Sequence, residues 1–153
     1  MGVELERGHG PWESPESGTF VGQQRYAWYA SQAALARMYA RRMLGPRCGF
    51  DSELVAAELV SNAIRHTVSG ARGGHFVVYV MLGRTPGIAV QDLGGSGAPR
   101  VGMRQEGRFS EGGRGLELVT RLAVRSGYWG DEREGHTVWA ELRSLPFSEP
   151  MAG

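Results

Sequence analysis

Three short stretches of this 153-residue chain carry side chains and spacings suited to chemistry. Glu58 and Asn62 stand four apart, which on a helix puts both on one face, one above the other. A carboxylate there can take a proton or orient a nucleophile. The Asn62 amide offers a hard, neutral oxygen suited to Mg²⁺ whose other ligands are phosphate and water. Asp92-x-Gly94 follows the mostly apolar run IAVQ (88–91), so a carboxylate stands at a strand end with glycines behind it. It can accept a hydrogen bond from an exocyclic amine while the glycines let a flat ring approach the backbone. Gly113-Arg114-Gly115-Leu116 opens a helical stretch. Unpaired amides at a helix start attract anions, and Arg114 can add a bidentate phosphate contact. Each stretch alone also has a plainer reading: a solvated polar pair, an Asx turn, a glycine-rich loop that happens to precede a helix.

These stretches need elements to hold them. Tyr29, Ala33, Ala36, Ala40 and Met43 recur at helical steps, predicting a first helix over 24–43 that ends at Gly45-Pro46. Asp51 or Ser52 reads as the N-cap of a second helix running to about Thr67. On it, Ala56, Leu59, Val60, Ala63 and Ile64 form the apolar face, and Glu58, Asn62, Arg65 and His66 the other. HFVVYVML (75–82) and IAVQ (88–91) read as strands. Residues 93–115 hold eight glycines, the mark of a binding loop or lid, with Arg100, Arg104 and Arg108 within it. Helical spacing resumes over 115–123, and strands follow at 124–129 and 137–142. Residues 1–18 read as a loose arm, with a short edge strand at 19–21 and a frayed tail at 144–153, leaving 19–143 as the domain. Strand pairs joined by short turns give an α+β fold: a two-layer sandwich whose mixed, mainly antiparallel sheet is covered on one face by helices.

Composition removes several function classes. The net charge of +1 gives no prior for nucleic acid or an anionic membrane. Every basic residue is arginine, so neither a Walker P-loop nor a Schiff-base lysine is present. The single Cys48 excludes an internal disulfide and a multi-cysteine zinc site. No apolar run reaches the ~18 residues of a membrane span, and a cytoplasmic protein is the default expectation.

The segments ELVSNAIRHT (58–67), VQDLGGSG (90–97) and GGRGLELV (112–119) resemble, in order and spacing, the N box and the two glycine boxes of the Bergerat-fold ATPase superfamily. Gly135-His136-Thr137-Val138-Trp139 is similar to the closing pattern of its small stand-alone anti-sigma-factor serine/threonine kinases. The resemblance implies ATP and Mg²⁺ as ligands, with Glu58 as general base and Asn62 as Mg²⁺ ligand. Asp92 would take the adenine amino group, helped by Gly94, Gly97 and, through water, Thr137. Gly113, Arg114, Gly115 and Leu116 would line the phosphates. Implied partners are a small STAS-type antagonist and a sigma factor, with a homodimer through the first helix, where Tyr26, Trp28, Tyr29 and Tyr39 serve as core or interface. No helical hairpin with a phosphoacceptor histidine precedes the domain, which disfavours a sensor histidine kinase. Ser96 stands where the superfamily's first glycine box has glycine. That departure keeps a non-catalytic, ATP-dependent binding module as the alternative.

Overall fold

The computed structural model describes residues 5–12, 20–66, 72–95 and 111–146. In chain order the elements are β1 (Glu6–Arg7), β2 (Phe20–Ala27), α1 (Ala30–Cys48), α2 (Phe50–His66), β3 (His75–Leu82), β4 (Gly87–Gln91), α3 (Glu111–Leu122), β5 (Arg125–Asp131) and β6 (Gly135–Glu141), with a 3-10 turn at Gly10–Trp12. One six-stranded sheet has the order β1-β5-β6-β4-β3-β2. Only β1 and β5 run parallel; the other neighbours are antiparallel. The helices share one core with one face of the sheet, which is the expected α+β sandwich.

Strand alternation decides which side chains meet the helices. Phe76, Val78 and Val80 of β3, Ile88 and Val90 of β4, and Val138 and Ala140 of β6 enter the helix-side core. Met81, Ala89 and Trp139 form a second, smaller cluster on the opposite face. From the helices come Ala36, Ala40, Leu44 and Cys48 of α1, Val55, Leu59 and Ala63 of α2, and Leu116 and Val119 of α3. Burial pushes the Cys48 thiol up to about 11, against a smaller opposing effect of Arg47, so it is a packing group rather than a reactive one. No helix among the described residues is long and apolar enough to cross a membrane.

Several boundaries differ from expectation, each for a physical reason. Residues 24–27 belong to β2, not to a helix, because all of Phe20–Ala27 pairs with β3 and Tyr26 stacks on Phe76 at 5.6 Å. Tyr26 is thus core, whereas Tyr29 is 47% exposed. Gly45-Pro46 does not end α1. The helix runs on to bury Cys48 and stops at Gly49, whose φ of 70° suits glycine and whose N–H donates to Gly45 O at 2.8 Å. With one residue between the helices, α2 starts at Phe50, and Ser52 is buried inside it, its hydroxyl donating to Gly49 O at 2.7 Å. Part of the expected loose arm is structured, since β1 pairs with β5 at the sheet edge.

Candidate functional site

Asp92 continues the side of β4 that carries Ile88 and Val90, so its carboxylate turns toward the helix layer. It is 3% exposed. Its Oδ1 accepts the N–H of Gly94 at 2.7 Å, an Asx-turn bond, and that of His136 at 3.0 Å from across the sheet. Its own N–H donates to His136 O at 2.9 Å. Among the described residues both bonds to the carboxylate end on Oδ1. Burial pushes the Asp92 pKa up, and the two backbone bonds and the nearby His136 partly offset this.

Backbone packing around Asp92 leaves no room for side chains. At Gly94, with φ of 78°, a Cβ would lie 2.3 Å from Glu132 O. At Gly135, with φ of 98°, it would lie 2.0 Å from Asp92 O. Gly95 N–H donates to Glu132 O at 3.2 Å, tying the same two segments together. The turn between β5 and β6 therefore packs on the Asp92–Gly95 segment by main-chain contact alone. Neither Gly135 nor the His136 amide figured among the expected site residues, although both lie in the closing pattern that supplied Thr137.

Thr137 is placed elsewhere than expected. Val138, Ala140 and Leu142 face the helix-side core and Trp139 the far cluster, so Thr137 shares the far face with Trp139. His136 is the side chain on the Asp92 side. It is 3% exposed, with its ring 6.0 Å from that of Tyr128, itself packed against the helix-side core. Counting alternation outward from the apolar Val138 would have found it.

Glu58 and Asn62 stand on α2, which packs against α1, α3 and the helix side of β4. Helix α2 thus lies on the side of the sheet toward which Asp92 turns. Glu58 is half-buried and Asn62 is 9% exposed, so among the described side chains of the face expected to be solvated, Arg65 is the exposed one. An Asn amide buried beside a carboxylate suits a cation already carried by phosphates, and Mg²⁺ would be held there through the Asn62 carbonyl.

Helix α3 begins at Glu111, earlier than expected. Gly113 lies among the first amides, which have no partner within a helix, whereas an amide at Gly115 falls where α-helical bonding to residue 111 begins. Leu116 is 1% exposed and packs in the helix–sheet core, which ties the mouth of α3 to the sheet. Gly97, the arginines at 100, 104 and 108, and the side chain of Arg114 lie outside the described residues.

A buried carboxylate at a strand end, held in a turn of tightly packed glycines, has the chemistry to accept a purine amine. Comparison with curated proteins finds no match. The family model of the histidine kinase-like ATPase domain matches residues 27–142, and the chain belongs to that family of ATP-binding domains.

Proposed function

We propose that this ATP-binding domain is a cytoplasmic, anti-sigma-type serine/threonine protein kinase that phosphorylates a small STAS-type antagonist, with a sigma factor as competing partner. The observation that carries the reading is Glu58 half-buried one helical turn before the buried Asn62, on the same side of the sheet as Asp92. Asp92 Oδ2 would accept the adenine amino group. Gly94 and Gly135, where main chain takes the place of a side chain, would hold the Asp92 turn in shape, and the Gly113 amide would donate to phosphate. Mg²⁺, when bound, neutralises phosphate charge. The partner's serine oxygen would attack the γ-phosphorus, Glu58 would take its proton, and the bond from that phosphorus to the bridging oxygen would break to release ADP. Such catalysis is mainly positioning and electrostatics, so few side chains suffice. A homodimer is part of the proposal, supported by Leu35 and Met38, 48% and 57% exposed on α1.

Radiolabelled ATP incubated with candidate antagonists tests the reading. Label on a partner serine, lost in Glu58→Gln with ATP affinity kept, is the expected result. ATP binding with no transfer to any antagonist would leave the non-catalytic binding module that Ser96 suggests.

A further inference from the structure

Residues 5–12 precede the family segment, which starts at residue 27, yet they are fastened to the sheet face that the helices leave open. Gly8 N–H donates to Tyr128 O at 2.9 Å, and Gly8 O accepts the Trp139 indole N–H at 2.6 Å. The His9 ring lies 4.4 Å from that of Trp129. Trp12 stands edge-on to Trp139 at 5.6 Å and donates its indole N–H to Thr85 O at 2.7 Å. The seats are cut to fit. A Cβ at Gly10 would meet the Trp139 ring at 3.0 Å, and one at Gly87 would meet Trp12 at 2.2 Å. Tyr128, Trp129 and Trp139 all belong to the β5–β6 hairpin. The turn of that hairpin supplies the main-chain partners of Asp92 and Gly95.

We propose that residues 5–12 are a positioning segment for the purine end of the nucleotide site, a claim that rests on Asp92 being the purine carboxylate. By clasping the hairpin from the far face, the segment holds the His136 amide and Glu132 carbonyl where the Asp92–Gly95 turn needs them. His9 and Trp12 act through β5 and β6 without touching nucleotide.

Trp12→Ala removes the clasp. Wild type and variant are titrated with Mg·ATP and with inorganic tripolyphosphate, at a temperature where circular dichroism shows both folded. The ATP Kd rises by about fivefold or more in the variant, the lower end of typical coupling between sites, while tripolyphosphate, which has no purine, binds the two about equally. Trp12→Phe, which keeps a ring edge against Trp139, recovers most of the ATP affinity. Coupling is reciprocal, so saturating ATP slows exchange of the Gly8 amide in wild type by a similar factor. An unchanged ATP Kd in folded Trp12→Ala overturns the proposal, as does an equal loss for tripolyphosphate. If Trp12→Ala does not fold, the wild-type Gly8 exchange decides: slowing by ATP supports the proposal and no change overturns it. Wild type binding ATP no more tightly than tripolyphosphate would instead refute the Asp92 reading, and the positioning role would fall with it.

Discussion

Around Asp92 the surroundings are main chain: two amides on one carboxylate oxygen, a carbonyl accepting its N–H, and glycines packed against carbonyls at 2.0–2.3 Å from where a Cβ would be. On α2 the arrangement is the opposite. Glu58 and Asn62 project from a helix whose place is set by Val55, Leu59 and Ala63, none of them a site residue. The proposed purine end is thus sensitive to shape and the helix end to chemistry. A substitution at the first disturbs structure and binding together, and one at the second separates catalysis from folding.

Glu58→Gln gives the largest effect and the cleanest separation. On the proposed reading of Glu58 as base, its loss lowers phosphotransfer by about 10²–10⁴-fold, while unfolding midpoint and ATP Kd stay near wild type. Single-turnover transfer and calorimetry check both halves. Gly135→Ala does the reverse and costs about 3 kcal/mol in urea unfolding, from a positive φ plus a contact the main chain cannot relieve. ATP binding falls with it, and unchanged stability would show that the wall is softer than its contacts imply.

Asp92→Asn sharpens the contrast within one residue. The folded-state pKa of Asp92 lies above its unfolded value, so the native state holds the extra proton and stability from this group declines as pH rises through that interval. An asparagine keeps the Oδ1 acceptor and removes the buried charge, so Asp92→Asn is as stable as wild type or more so at neutral pH. In wild type, ATP affinity falls as the pH is lowered through the raised Asp92 pKa, since the protonated acid is the poorer acceptor. Urea unfolding and ATP titration across acidic pH measure the two trends. The smallest effects separate two neighbours on β6. His136→Ala keeps the amide that donates to Asp92 and removes a buried ring on that side, so ATP binding weakens by about 2–10-fold, no more than one ordinary polar contact. Thr137→Val, on the far face, leaves ATP affinity unchanged.

What the sequence disclosed follows the same division. β3 was legible because HFVVYVML is a run rich in β-branched and aromatic residues, and Asp92-x-Gly94 because only glycine tolerates its turn. Helix α2 was legible in its period but not in its exposure, because packing against both α1 and α3 narrows its solvent stripe and buries Asn62. Residues 24–27 resembled helix locally, and pairing with β3 overrode that preference. Pro46 misled because a proline in the last turn loses one bond while the helix gains the burial of Cys48. Gly8, His9 and Trp12 showed no local periodicity at all. Their partners lie far along the chain, Thr85 for Trp12 and residues of β5 and β6 for all three, and only the fold brings them together.

The central claim is that Asp92 receives the purine. Isothermal titration of Mg·ATP into wild type and Asp92→Asn, both verified as folded, tests it most directly. The account predicts saturable one-to-one binding to wild type and a loss of about 10–100-fold in the variant, as expected for a hydrogen bond to a charged group. Equal affinities in the two folded proteins would contradict it.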